Sequence, residues 1–299
     1  MSLFDRFLVT TLPLVPRFVV QKVASRYVAG ETLESAVALI RQLNERGAMA
    51  TLDVLGEEVT DRSRAEEFVQ AYLDALRVID AEGLDANISI KPTMLGLKIE
   101  QSFLEANVET LAEEAQRLQN FVRLDMEDRH AVDPTLETYR ALQPRFGNLG
   151  VVFQAYMRRV RSDIDDLPAE GANVRLCKGI YIEPRKAAWK GYETVRRNFV
   201  AALEKLLRRG AYVGIATHDE YLVCAAVELI DRLGIDRDRY EFQMLLGVDE
   251  ELRDILLDEG HRLRIYVPFG RDWYLYSMRR LRENPTVARH VLNAMLSGS

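Results

Sequence analysis

Eight short apolar runs rich in β-branched residues recur along this chain, at Ala48–Leu55, Asn87–Lys91, Phe121–Met126, Leu149–Tyr156, Asn173–Cys177, Tyr212–Thr217, Tyr240–Leu246 and Arg262–Val267. Segments with helical periodicity lie between them, such as Arg64–Asp80, Phe103–Gln119, Lys186–Arg209, Glu220–Leu233 and Glu250–Glu259. Gly47, Gly83, Gly210, Gly234 and Gly260 follow helical patterns and read as C-terminal caps. Strands that alternate with helices pair in parallel through crossover connections. Eight such units predict an α/β chain folded as a closed (β/α)8 TIM-type barrel rather than an open doubly wound sheet. The first strand runs into Leu-Gly-Glu-Glu, with no GxGxxG turn. Residues 1–46 precede that strand and read as two helices joined near Val28–Thr32, with Thr32 starting the second. Residues 47–299 then form one barrel unit, with a last helix expected over the barrel mouth.

The length of 299 residues suits one such unit, and 48% hydrophobic with 29% charged residues is the profile of a globular chain. A net charge of −6 argues against a general nucleic-acid surface. Cys177 and Cys224 form no CxxC pair, and the histidines (130, 218, 261 and 290) are scattered, so neither a disulfide framework nor a metal is expected. Leu3–Ala24 is apolar but interrupted by Asp5, Arg6, Pro13, Pro16 and Arg17, which fits neither a signal peptide nor a spanning helix. A cytoplasmic setting is the expectation.

Chemistry in such a barrel sits at the C-terminal ends of the strands. Those ends carry Glu57, Lys91, Asp125 with Glu127, Gln154 with Tyr156, the run Arg175–Tyr181, Ala-Thr-His-Asp at 216–219, Glu241 with Gln243, and Arg264–Gly270. Taken singly, a Lys or Asp there is a solvated or paired residue, Cys177 a small core residue and His218 a loop cap. Arg175 inside an apolar strand is harder to dismiss, because an unpaired buried charge is expensive. After the last strand, Trp273, Tyr276, Arg279, Arg280 and Glu283 share one helical stripe. That stripe is either solvated, with an Arg279–Glu283 pair, or a carboxylate clamp to which Lys91 adds a charge.

Ser-Ile-Lys at 89–91, Arg-Leu-Asp-Met-Glu-Asp at 123–128, Gln-Ala-Tyr at 154–156, Arg-Leu-Cys-Lys-Gly-Ile-Tyr at 175–181, Ala-Thr-His-Asp at 216–219, Glu-Phe-Gln-Met-Leu at 241–245 and the stretch 266–283 resemble the bacterial monofunctional proline dehydrogenases. They also resemble the dehydrogenase domain of the bifunctional proline utilisation proteins. The resemblance runs over about residues 30–285, with the motifs in order. It implies a non-covalent FAD across the barrel mouth. Arg175 would lie near flavin N5, with Gln154, Lys178, Gly179 and Tyr181 beside the isoalloxazine and ribityl chain. Thr217 and His218 would reach the pyrophosphate and adenosine end, Glu283 the ribityl hydroxyls. L-proline would be held through its carboxylate by Lys91, Arg279 and Arg280 and walled by Tyr266 and Tyr276, with Asp125 nearby. Glu57 would pair with Arg279 as a gate. The fifth strand departs from the family pattern at Cys177 and Ile180, and the segment 182–192 is short.

The implied reaction is hydride transfer from the ring carbon beside nitrogen to flavin N5, giving Δ1-pyrroline-5-carboxylate. A membrane quinone would take the electrons. Arg6, Arg17, Lys22 and Arg26 among apolar residues suit an interfacial helix on the inner face of the cell membrane, and equally a homo-oligomer contact. Two rival readings remain at this stage. One is an aldolase-type barrel with Lys91 or Lys178 as Schiff base, the other a non-catalytic binding barrel.

Overall fold

The computed structural model describes residues 25–56, 58–168, 171–274 and 276–278. A first helix, α1 (Leu33–Glu45), starts where Thr32 accepts a hydrogen bond from the Ser35 amide, and buries Ala36, Val37, Ile40 and Leu43 on one face. The expected helix before it lies outside the described residues.

Then strand and helix alternate: β1 (Met49–Val54), α2 (Arg62–Ala81), β2 (Ala86–Ile90), α3 (Gln101–Arg117), β3 (Val122–Leu124), α4 (Arg129–Phe146), β4 (Leu149–Gln154), α5 (Val160–Asp165), β5 (Asn173–Cys177), α6 (Tyr192–Arg208), β6 (Tyr212–Ala216), α7 (Glu220–Leu233), β7 (Tyr240–Leu245), α8 (Glu250–Asp258) and β8 (Leu263–Phe269). All eight strands pair in parallel with their sequence neighbours. β1 closes on β8 with Thr51 opposite Tyr266, so the sheet is a closed barrel. Each of the eight expected runs overlaps one of these strands; β2 begins at Ala86, ahead of its run, and β8 continues to Phe269, past the end of its run.

Two local expectations need correction. The helix read from Lys186 begins only at Tyr192. Residues 184–190 are instead tied to the end of β4, with Arg158 N donating to Ala187 O and Trp189 N to Tyr156 O. That pairing takes the Ala187 carbonyl and the Trp189 amide, groups a helix would have used. The third strand is also shorter than its apolar run, although Asp125 N still donates to Ile90 O.

Period-two alternation gives the barrel two unlike faces. Leu52, Ile88, Leu124, Val151, Leu176, Ile215, Phe242 and Ile265 belong to the apolar core between sheet and helices. The alternate positions carry Thr51, Asp53, Asn87, Ser89, Lys91, Arg123, Asp125, Arg175, Glu241 and Gln243, all buried. A barrel interior of this kind is usually filled by branched apolar side chains. Here it is charged, and each charge must find a partner inside.

Candidate active site

The floor of the site begins with an ion pair between neighbouring strands. Lys91, just past β2, donates from Nζ to Asp53 Oδ1 of β1 at 2.5 Å. Asp53 is 0% exposed, and its Oδ2 has no hydrogen-bond partner among the described residues. Burial pushes its carboxyl up; Lys91 works against that shift and the nearby Asp125 charge adds to it. Tyr72 of α2 comes to 3.5 Å of Asp53 from the helix layer.

A second cluster crosses the barrel. Arg175 Nη1 of β5 donates to Asp125 Oδ1 at 2.6 Å and to Ser89 Oγ at 3.2 Å. Ser89 Oγ donates to the same carboxylate at 2.6 Å, and Tyr266 OH to its other oxygen at 2.8 Å. The Arg175 guanidinium stands 5.1 Å from the Tyr266 ring centroid. Burial, with the Asp125 charge, raises the Tyr266 phenol well above its ordinary value, so it stays a proton donor. Beneath Arg175, Gln243 bonds Glu241, which pairs with Arg264 at 2.7 Å.

Above these groups opens a cavity of about 260 Å³, lined among others by Asp53, Lys91, Asp125, Gln154, Arg175, Gly179, Tyr181, His218, Tyr266 and Tyr276. Cys177 and Ile180, the two departures in the fifth strand, line it too. Gln154 Nε2 donates to the Glu127 carbonyl at 2.7 Å, while its buried Oε1 has no hydrogen-bond partner among the described residues. Gly179 has φ +100°, and a side chain there would run into the Tyr156 ring. His218 Nε2 accepts from Leu245 N at 2.8 Å, which leaves the proton on Nδ1.

Lys178 and Thr217 lie in an adjoining cavity with His218, Tyr192, Arg196 and Asp219. Asp219 accepts from Lys178 (3.1 Å), Tyr192 OH (2.8 Å) and both Arg196 Nε and Nη2 (2.9 and 2.6 Å). Burial would raise its carboxyl, but these donors together hold it well below the usual range. Thr217 Oγ1 accepts from Asp219 N at 3.1 Å.

The expected residues Lys91, Asp125, Gln154, Arg175, Gly179, Tyr181, His218, Tyr266 and Tyr276 thus meet in one place, with Lys178 and Thr217 next door. Glu57, Arg279, Arg280 and Glu283 lie outside the described residues, and so does the expected gate between Glu57 and Arg279. Sequence reasoning passed over Asp53 and Tyr72. The available signal for Asp53 was its period-two relation to Thr51 in an otherwise apolar strand. Among the described residues no helix is long and apolar enough to cross a membrane, and no His, Cys, Asp or Glu group is placed to hold a metal.

Known proteins resemble this chain over most of its length. The family profile described as proline dehydrogenase matches residues 36–292. A proline dehydrogenase of Deinococcus radiodurans is 35% identical over 280 residues, 92% of this chain and 90% of that protein. Proline dehydrogenase 2 of Bacillus subtilis (strain 168) is 35% identical over 263 residues, 88% of this chain and 87% of that one. The crystal structure of proline utilization A from Bdellovibrio bacteriovorus, inactivated by N-propargylglycine, superposes with a TM-score of 0.83 at 24% identity and speaks for the fold alone; it covers 89% of this chain and 33% of that one. With the profile spanning most of the barrel and relatives of similar length at such identity, the chain belongs to the proline dehydrogenase family.

Proposed function

We propose that this protein oxidises L-proline to Δ1-pyrroline-5-carboxylate with a non-covalently bound FAD and passes the electrons to a quinone. The observation that carries the reading is the buried Arg175–Asp125–Tyr266 cluster under a cavity, beside the Lys91 ammonium. The cavity also fits a flavin. Gln154 Oε1 offers a buried acceptor that no described residue uses, and Arg175 offers a buried cation. The adjoining cavity, where Lys178 and Arg196 converge on Asp219, brings two cations within reach of a phosphate-bearing tail.

Bound FAD would supply the hydride acceptor. The chain's own residues bind and orient. Lys91 contributes charge for the substrate carboxylate, and Arg279 with Arg280 would complete the clamp. Fixing that carboxylate decides which ring carbon faces the acceptor, and such orientation supplies several kcal/mol of a barrier. Asp125 holds both Arg175 and Tyr266, so one carboxylate sets a cation and a phenol together. Tyr266 and Tyr276 would wall the substrate ring and exclude water. Glu57 with Arg279 would close the mouth. A quinone acceptor and contact with a membrane surface through residues 1–30 complete the reading.

The purified protein should be yellow. Acid precipitation should release the colour to the supernatant, and L-proline should bleach it without oxygen. A colourless protein that takes up no added FAD would end this reading and leave the Schiff-base alternative open.

A further inference from the structure

A missing side chain on β6 lets a residue of β7 reach Arg175 on β5. Arg175, Gly214 and Glu241 stand in register across these three strands. A Cβ on Gly214 would run into the amide of Gln243, with Cδ only 2.8 Å away. The φ of Gly214 is not positive, so the need for glycine there is one of space, not of backbone conformation. Through the gap, Gln243 Oε1 accepts from Arg175 Nε at 2.5 Å and Nε2 donates to Glu241 Oε1 at 2.5 Å.

The chemistry of the neighbours leaves the amide one orientation. Glu241, 1% exposed, is an acceptor only, and Arg175 is a donor only. The Gln243 NH2 must therefore face Glu241 and its oxygen Arg175. Glu241 is itself held by Arg264 Nε and Nη2 at 2.7 and 3.1 Å and by Tyr212 OH at 2.7 Å. Arg264 is anchored in turn to Ala50 O and Asn87 Oδ1 at 2.8 and 2.9 Å. Gln243 fixes Nε of Arg175, while Asp125 and Ser89 fix Nη1. Two edges held by different strands define the guanidinium plane, and no described residue accepts from Nη2. Because the acceptor at Nε is a neutral amide, Asp125 is the carboxylate bonded to Arg175, and Glu241 stays paired with Arg264.

We infer that Gln243, oriented by Glu241, is a positioning residue that sets the plane of Arg175 and, as a neutral acceptor at Nε, leaves Asp125 as the carboxylate that balances its charge. The inference rests on the reading of Arg175 as the cation beside the flavin. It assigns Gly214 a role as the opening that makes the relay possible.

The test uses the FAD-loaded enzyme and reads the flavin midpoint potential together with the rate of flavin reduction by proline. Arg175→Met should make the potential more negative. Gln243→Met should move it in the same direction by less. It should also slow flavin reduction about tenfold or more, since a 1 Å misplacement can cost on the order of 100-fold, with FAD still bound. Gln243→Glu, which places a carboxylate against Nε, should lower the potential further than Gln243→Met. Should Gln243→Met fail to fold, Glu241→Gln keeps the shape but frees the amide to turn over, and should move the potential off its wild-type value and slow flavin reduction. If Arg175→Met shifts the potential while Gln243→Met and Glu241→Gln leave potential and rate at wild-type values, the relay is wrong and the flavin reading survives. If Arg175→Met itself shifts nothing, the placement of Arg175 beside the flavin is what fails.

Discussion

Asp53 and Lys91 sit where either charge alone would be costly, since both side chains are almost wholly buried. Desolvation offsets much of the attraction inside such a pair, so its presence is weak evidence for stability. Removing one member is a different matter, because it takes the counter-charge from a group that stays buried. Asp53→Ala should therefore lower stability by about 3–5 kcal/mol in denaturant titration. Lys91→Met should cost less, and the double substitution less than the sum of the two. Additive losses would mean that the two side chains contribute independently. The same pair also explains why Asp53 belongs to the cavity lining. It holds the ammonium that the proposed substrate carboxylate needs.

Strands β3, β4 and β5 repeat the device of β5, β6 and β7: a strand without a side chain lets its neighbours meet across it. Arg123 of β3 passes over Gly150 of β4 and donates to Asn173 of β5 at 2.9 Å (backbone O) and 2.6 Å (Oδ1). It also stacks on Phe121, 4.8 Å from the ring centroid. Burial lowers its guanidinium to about 9, so it remains charged at neutral pH. A Cβ on Gly150 would meet Arg123 Nη1 at 2.5 Å and the Asn173 carbonyl at 2.8 Å, with the Phe121 ring closer still. Neither the backbone carbonyl nor the wedged ring can yield freely. Gly150→Ala should cost about 1–3 kcal/mol, the usual range for overpacking. A melting temperature equal to wild type would show that the strands can part enough to admit a methyl group.

Closure of β1 on β8 gathers the buried charges of different strands into one enclosure, and the pH response of the whole fold follows. Burial would raise the Glu241 carboxyl, but the Arg264 ion pair with the Tyr212 and Gln243 hydrogen bonds brings it down to about 2. A carboxyl depressed on folding stabilises the protein above its unfolded value. That contribution is lost as pH falls from about 4.3, the ordinary Glu value, to about 2. On the scale of 1.36 kcal/mol per unit this is on the order of 3 kcal/mol. Asp53 has the opposite sign: its raised carboxyl favours the fold when protonated, and the ionised form works against stability as pH rises through the folded value. Glu241→Gln should accordingly be less stable at neutral pH and lose less of its stability between about pH 4.3 and about 2. Parallel acid-unfolding curves for the two proteins would show that Glu241 does not govern this limb.

Much of this architecture is legible in one dimension. Outward positions of parallel barrel strands are buried under helices, so they appear as apolar runs such as Val174 and Leu176 or Val213 and Ile215, and eight runs with helical spacers suffice for a barrel. The alternate polar positions are legible by the same period of two. Arg175, Asp125, Lys91 and Gln154 stand out as charge or amide in otherwise apolar strands. Helix α4, with Pro134 and Pro144 inside it, carries a weaker signal, because neither proline can donate to the helix ladder. What sequence cannot supply is which inward residues meet. Asp53 finds Lys91 because β1 and β2 are neighbours in register, and Arg175 finds Gln243 because Gly214 leaves the strand between them bare. Periodicity assigns a residue to a face from its local backbone alone. Its partner on that face depends on strand register, closure and the size of a third residue far away in the chain, and these are properties of the assembled barrel.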